Sequence, residues 1–188
     1  EMCIRDSSYF NLEIDQTGAK TATGSINING NFSVNSNTSF QLSSHNLTVE
    51  GTSDINSAFS MSTGLYDANG PLDVGYNSSF SFLGAGQLNI GNDLTSFRNF
   101  TANNSLVVFD GISVQNIPQA TTFYNLKVDG AGVNASNNIT VDGTLFLGNG
   151  DISTSGYWGK LTLKSSTNGG SNLGHILGKV EYISNSTN

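Results

Sequence analysis

Short strand-like segments that end in a polar residue and a glycine recur along this chain. They have the form apolar-x-apolar, as in INING at 26–30, VVFDG at 107–111 and LKVDG at 126–130. A series of glycines from Gly30 to Gly170 is spaced by steps of 19 to 21 residues. Alternation of apolar and polar residues indicates half-buried β-strands, and we expect the glycines to supply positive φ in the turns. The chain is therefore predicted to repeat a strand-and-turn unit.

A longer internal repeat supports the same interpretation, because residues 7–34 align with residues 121–147. Only two prolines occur, so few positions lack the N–H that a strand ladder needs. These features predict an all-β fold, a parallel β-solenoid with coils of about 20 residues that stack about 4.8 Å apart. The competing interpretation is an antiparallel β-sandwich, which also uses short strands and frequent turns.

Charged residues make up only 11% of the chain, so its polar surface must come from Asn, Ser, Thr and Gly, which suit strands and turns. Seven basic residues are scattered singly and the net charge is -7, which argues against a nucleic-acid partner. No apolar run approaches the roughly 20 residues that a membrane-spanning helix needs. We therefore expect no membrane insertion of this segment.

The first residues, EMCIRDS, resemble a translated sequencing adapter. We treat residues 1–6 as an artefact of that kind, and expect residues 7–188 to be a single β-solenoid segment of a larger, truncated protein. The only cysteine, Cys3, lies within the excluded residues, so the rest of the chain offers no thiol or disulfide chemistry.

A second motif occurs three times, as SSYFNL at 7–12, TSFRNF at 95–100 and TTFYNL at 121–126. Its fourth position is Phe, Arg or Tyr, whereas a catalytic motif would hold its reactive residues constant. We expect the motif to form a corner between strands, with its aromatic and its last apolar residue buried and its Asn at the bend. The residues assigned to this structural role are Phe97, Asn99, Phe100, Phe123, Asn125 and Leu126.

The segment SLVVFDGISVQNI and the TTFYNLKVDGAGVNASNNITVDGTLFLGNGDIST that follows it span residues 105–154. They resemble the repeats of large secreted surface proteins of Bacteroidota, in which VxFxGxxxQxI leads into TTFxNLxVxxxGVxxxxNxTVxGTLxLxxGxxxT. Residues 7–34 carry a weaker version of the same pattern. The resemblance implies a right-handed parallel β-helix, export (often by a type IX secretion system) and a role in adhesion or surface structure.

Two features suggest ligand sites. In GYWGK at 156–160, flanking glycines leave Tyr157 and Trp158 free to lie on an exposed loop, where aromatic rings stack on sugars. The alternative is that Trp158 fills the core. Asp110 and Asp129 are 19 residues apart and would stack in adjacent coils, which suggests a calcium site. Both also occupy a turn position, which is a simpler explanation. The acidic column that we predict comprises Glu50, Asp110, Asp129 and Asp142.

The chain shows little that indicates catalysis. The motifs GxSxG, GxGxxG and GxxxxGK[ST] are absent, and His45 and His175 are too far apart to form a metal-binding motif. We expect no enzyme and no cofactor apart from calcium. The predicted function is a non-catalytic structural or adhesive segment of an exported cell-surface protein, a stiff rod with extracellular glycans or other surface proteins as partners. The alternative is a carbohydrate-binding or carbohydrate-active β-helix, similar to lyases or glycosidases.

Overall fold

The computed structural model describes residues 3–4, 7–154, 156, 158–164, 168–170 and 173–183. These residues form 28 short strands and no helix. In chain order the strands are β1 (Cys3–Ile4), β2 (Ser7–Tyr9), β3 (Leu12–Ile14), β4 (Gly18–Ala22), β5 (Ile26–Ile28), β6 (Phe32–Val34), β7 (Thr38–Ser43), β8 (Leu47–Val49), β9 (Ser53–Ile55), β10 (Ala58–Met61), β11 (Leu65–Ala68), β12 (Leu72–Val74), β13 (Ser79–Phe82), β14 (Gln87–Ile90), β15 (Leu94–Phe97), β16 (Phe100–Thr101), β17 (Leu106–Phe109), β18 (Gln115–Ile117), β19 (Thr121–Phe123), β20 (Asn125–Val128), β21 (Val133–Ala135), β22 (Asn138–Val141), β23 (Leu145–Leu147), β24 (Ile152–Thr154), β25 (Lys160–Leu163), β26 (Asn168–Gly170), β27 (Ile176–Gly178) and β28 (Val180–Tyr182).

The strands lie on three faces, which the chain visits in a fixed order once per coil. The second face is one sheet of nine strands, β2-β5-β8-β11-β14-β17-β20-β23-β26. The first face holds β1-β4-β7-β10-β13-β16 and then β19-β22-β25-β28, and the third holds β3-β6-β9-β12-β15 and then β18-β21-β24-β27. Among the described residues every pairing is parallel.

The chain is therefore a parallel β-solenoid of about nine coils, as predicted, and the antiparallel sandwich is wrong. In the middle of the second face, for example, Ala68 of β11 lies opposite Val49 of β8 on one side and Ile90 of β14 on the other. The right-handed winding and the coil length of about 20 residues stay predictions.

The first and third faces are interrupted at the same level, while the second face runs through. On the first face, β16 has only two residues and is not in one sheet with β19, although the two strands lie close together. On the third face, β15 and β18 are related in the same way. Asn99 and Asn103 adopt positive φ of 49° and 45° here, as Asn tolerates better than most residues. We call this level, residues 94–123, the break.

Alternating residues of the strands point into one apolar core. In β8, for example, Leu47 and Val49 are fully buried while Thr48 between them is half-buried. Aromatic rings join this core across the break, because Phe80 lies 6.1 Å from Phe100, and Phe100 lies 6.0 Å from Phe123. The interruption of the two outer sheets therefore does not divide the core.

The glycines of the series are required by the close stacking of coils, and the expected positive φ is wrong. The described glycines with positive φ are Gly18, Gly132 and Gly178, which lie outside the series. A Cβ atom on Gly130 would lie 2.1 Å from the carbonyl oxygen of Gly111, its counterpart one coil earlier. Any side chain at this corner would therefore collide with the backbone of the neighbouring coil.

The repeat that aligns residues 7–34 with 121–147 is rotated by one face. It matches β2 of the second face with β19 of the first, and β3 of the third face with β20 of the second. The strand with its corner is thus a unit that fits any of the three faces, because all three place alternate residues in the same core.

Candidate functional site

The corner motif TTFYNL places its two apolar residues in the core, as expected. Phe123 and Leu126 are both fully buried. The bend lies at Tyr124, and Asn125 is the first residue of β20, so the expected bend at Asn125 is displaced by one residue. The Oδ1 of Asn125 accepts a hydrogen bond of 2.8 Å from the N–H of Thr144. This asparagine therefore ties its coil to the next one.

The motif TSFRNF forms a similar corner at the break. Phe97 is buried, Phe100 is half-buried, and their ring centroids lie 4.2 Å apart in a stacked arrangement. Arg98 and Asn99 form the turn between them. The Nδ2 of Asn99 donates a hydrogen bond of 2.8 Å to the carbonyl oxygen of Ser78, in the preceding coil.

The three copies of the motif lie at three different corners. SSYFNL joins β2 to β3, TSFRNF joins β15 to β16, and TTFYNL joins β19 to β20. The expected ladder of motif asparagines therefore does not form, because the copies do not stack on one another. Asn11 forms a ladder with other residues instead: its Oδ1 accepts from the N–H of Asn31, whose own Oδ1 accepts from the N–H of Thr52. The motif serves coil formation at each corner.

Asp110 and Asp129 stack in adjacent coils on the second face. They follow β17 and β20, and the N–H of Asp129 donates to the carbonyl oxygen of Phe109 at 2.9 Å. The ammonium group of Lys127 lies 2.7 Å from the Oδ2 of Asp129. The carboxylate pair therefore already has one cationic partner from the chain itself.

The longer acidic column is wrong. Asp142 follows β22 on the first face, where its carboxylate pairs with Lys164 at 2.9 Å. Glu50 follows β8 on the second face, but two further strands, β11 and β14, separate β8 from the β17 strand of Asp110. The sequence spacing could not reveal this, because a small error in register moves a residue to another face.

The electrostatics around Asp110 are repulsive. Partial burial raises the pKa of Asp110, and repulsion from Asp67 and Asp129 raises it further against the opposing effect of Lys127. Among the described residues, no group of three or more His, Cys, Asp or Glu side chains is arranged to hold a metal ion. Since Ca²⁺ takes about six to eight oxygen ligands, the calcium site at Asp110 and Asp129 stays a prediction.

Trp158 lies in the turn between β24 and β25 and is 71% exposed, so it does not fill the core. Tyr157, its predicted partner, lies outside the described residues. Trp158 borders a groove of about 480 Å³ together with Asn138, Gly159, Lys160 and Lys179. An exposed indole beside a groove is the arrangement that the sugar-binding hypothesis requires.

A larger groove, of about 660 Å³, opens at the break. The guanidinium of Arg98 lies over the ring of Tyr76, 4.9 Å from its centroid, and Tyr76 is 75% exposed. Gln119 also lines the groove, and its Nε2 is buried without a hydrogen-bond partner. Sequence reasoning missed this groove, since its residues come from three successive turns. The one signal was the arginine in the variable position of TSFRNF.

Sequence reasoning also missed the role of Gln115, which is buried at the start of β18. Its Oε1 accepts from the N–H of Gly111 at 2.9 Å. Its Nε2 donates to the carbonyl oxygens of Ile90 at 2.7 Å and Asn92 at 2.6 Å. The spacing FDGISVQ thus closes the loop after β17 onto the preceding coil.

Comparison with protein-family models, with curated proteins and with solved structures finds no match to this chain. Within the described part of the chain there is no helix long and apolar enough to cross a membrane.

Proposed function

We propose that this chain is a non-catalytic structural and adhesive segment of an exported cell-surface protein. Its stacked coils form a stiff rod that presents loops or distal domains outside the cell. The observation that carries the proposal is the second face, which continues through nine strands without interruption. In a solenoid each coil contacts only its neighbours, so length and stiffness grow with the number of coils.

The corners and loops supply surfaces for adhesion. The loop after β17 carries Ile112, which is 98% exposed, and Val114, which is 50% exposed. Exposed apolar side chains in a short loop are typical of contact surfaces, although single ones are also common on ordinary proteins. A rod with such loops suits binding to extracellular glycans or to other surface proteins.

The resemblance of residues 105–154 to the repeats of secreted Bacteroidota surface proteins supports an extracellular or cell-surface location and export by a type IX system. Gln115 adds a structural reason for the motif, because its three hydrogen bonds require the glycine and glutamine spacing of VxFxGxxxQxI. This support is for the architecture first and for the location through the resemblance.

A second candidate is a carbohydrate-binding or carbohydrate-active β-helix. Exposed Trp158 favours sugar binding. The carboxylates of Asp67, Asp110 and Asp129 influence one another near Lys127, and clustered carboxylates with a basic residue are what lyases and glycosidases use. Asp110 lies on an exposed sheet surface, which favours the non-catalytic proposal over this candidate.

Small-angle X-ray scattering tests the rod. Nine coils give a stack of roughly 43 Å, and we expect the pair-distance distribution of an elongated particle that lengthens in proportion when further coils of the same repeat are added. A maximum dimension that does not grow with coil number would overturn the rod.

An activity assay separates the two candidates. The purified chain is incubated with neutral and acidic polysaccharides, and reducing ends and unsaturated uronate products are measured. We expect no product above the rate of a heat-denatured sample. Product formation that disappears in Asp110→Asn would overturn the non-catalytic proposal in favour of a lyase or glycosidase.

A further inference from the structure

The turns that join the third face to the first lie above one another and form one edge of the solenoid. They follow β12, β15, β18, β21 and β24. We call this the aromatic edge, and define it by one residue from each successive turn: Tyr76, Arg98, Gln119, Asn137 and Trp158. Both grooves described above open on this edge.

We propose that the aromatic edge binds an extended polysaccharide whose sugars carry carboxylates, with Arg98 as the carboxylate-binding group. The first step concerns Arg98 itself. Among the described residues it makes no ion pair, and its guanidinium is held against the exposed ring of Tyr76. Stacking uses the face of the guanidinium and leaves its in-plane N–H donors free, and these donors match a carboxylate in a two-bond arrangement.

Gln119 supplies a second donor in the same groove. Its Nε2 is buried and has no hydrogen-bond partner in the described structure. A buried donor without a partner is unfavourable and unusual in native proteins. A hydroxyl or carboxylate oxygen of a bound sugar would satisfy it, and Thr122 offers a hydroxyl on the lining of the same groove.

The two exposed aromatic residues set the length of the ligand. Tyr76 and Trp158 lie four turns apart along the edge, which corresponds to roughly 19 Å at the spacing of stacked strands. Aromatic faces stack on the apolar faces of sugars. Two such platforms on one straight edge suit a linear polymer better than a single sugar.

The charge of the chain decides the type of polymer. The net charge of -7 opposes a densely charged polyanion such as a nucleic acid. The second groove adds Lys160 and Lys179 beside Trp158, and Lys160 is paired with Glu181 at 2.6 Å. A few separated cations with aromatic platforms between them fit a polymer of moderate charge, with ring faces exposed along its length.

This inference gives the ligand class for the adhesive part of the proposed function and rests on that part. The rod is tested separately by scattering, so the ligand site and the rod can each fail alone. Binding without turnover is expected, because no carboxylate lines either groove.

Isothermal titration calorimetry with defined oligomers tests the site. The probes are polygalacturonate, its methyl-esterified form, which lacks the charge, and dextran sulfate, which replaces carboxylate by sulfate. We expect binding of polygalacturonate, at least tenfold weaker binding of the ester, and at least tenfold weaker binding of the sulfated polymer. Equal affinity for the ester and the acid would overturn the role of the carboxylate, and absence of binding would overturn the site. Tighter binding of dextran sulfate would instead assign the edge to sulfated polymers and overturn the carboxylate class.

Matched variants locate the site. Arg98→Gln and Tyr76→Ala should each weaken polygalacturonate binding at least tenfold, with unchanged circular dichroism. Lys20→Gln and Tyr124→Ala remove an exposed cation and a partly exposed aromatic ring that lie away from the aromatic edge. They should leave the affinity unchanged. An equal loss in these controls, or no loss in Arg98→Gln, contradicts the assignment.

Oligomer length tests whether the site extends along the edge. Trp158→Ala should weaken the binding of a long polygalacturonate chain by at least fivefold and leave the binding of a disaccharide at the Arg98 groove unchanged. If Trp158→Ala affects neither ligand, or both equally, the extended site is wrong.

Discussion

The side chain of Gln115 holds the backbone of Gly111 in place, because its Oε1 accepts the N–H of Gly111 at 2.9 Å. The same side chain donates to Ile90 and Asn92 in the preceding coil. It lies where the third face is interrupted and no strand ladder satisfies these backbone groups. One buried amide thus replaces a missing part of the sheet.

Gln115→Ala should lower the free energy of unfolding by about 3 kcal/mol, because it leaves buried donors and acceptors without partners. Urea denaturation followed by circular dichroism measures the change. Gln41→Ala is the matched control, since Gln41 is exposed on the first face, and it should change the free energy by less than about 0.5 kcal/mol. Equal effects of the two substitutions would show that the amide does not bridge the coils.

Gly130→Ala should destabilise the fold by about 3 kcal/mol, because the new methyl group would meet the backbone of Gly111 and Asp110 in the neighbouring coil. Gly75→Ala provides a matched comparison. Its added Cβ first meets the side-chain oxygen of Asn56 at 3.0 Å, which can move aside. We expect Gly75→Ala to cost less than about 1 kcal/mol. Similar midpoints for both variants in urea would contradict the close approach of coils at the Gly130 corner.

Tyr66 predicts a loss of stability at high pH. It is fully buried, burial raises the pKa of its hydroxyl, and the nearby Ser53 hydroxyl offsets this only in part. Because the pKa is higher in the folded state, the unfolded state loses its proton first, at about pH 10. Stability is therefore complete below about pH 10 and falls above it, by about 1.4 kcal/mol per pH unit from this group.

The variant Tyr66→Phe removes this ionisation. Neither the Tyr66 nor the Ser53 hydroxyl has a well-formed hydrogen bond, so the substitution should cost little at neutral pH. Urea denaturation of both proteins between pH 8 and 11 should show a steeper decline for the wild type. Parallel curves would mean that the hydroxyl reaches solvent.

Asp110 should oppose folding at neutral pH, because burial and the charges of Asp67 and Asp129 raise its pKa in the folded state. Its ionisation therefore lowers stability as pH rises above the unfolded value of about 3.9. Asp110→Asn should melt at a higher temperature than the wild type at pH 7, and the difference should vanish near pH 3. Asp54→Asn, on the third face, is the matched control and should show no such pH-dependent gain.

The same melting assay tests the predicted calcium site. A rise in melting temperature on adding calcium, confined to proteins with both Asp110 and Asp129, supports it. Identical melting curves with calcium and with a chelator remove it.

Much of the fold follows from alternation along short segments. The pattern of Leu126, Lys127 and Val128 is enough to place the first and third in the core and the second outside, because a strand exposes alternate residues to opposite sides. Burial of Phe123 follows in the same way from the motif. These are local features, so the sequence states them directly.

The site depends on registers between coils, which alternation does not determine. The predicted acidic column included Asp142, which lies on a different face from Asp110. The groove of Tyr76 and Arg98 forms only because β16 is short and the third face is interrupted. Neither the interruption nor the stacking of residues about twenty positions apart can be read from local patterns.

Parallel stacking along one axis is tested most directly by distances between spin labels on the second face. Asn27, Thr48 and Phe146 point outward in one column, with Asn27 opposite Thr48 and Phe146 opposite Lys127. In a Cys3→Ser background, double electron–electron resonance should give roughly 24 Å for labels at 48 and 146, and roughly 29 Å for labels at 27 and 146. The difference is one coil step. Distances that do not increase from the first pair to the second would contradict the stacked coils.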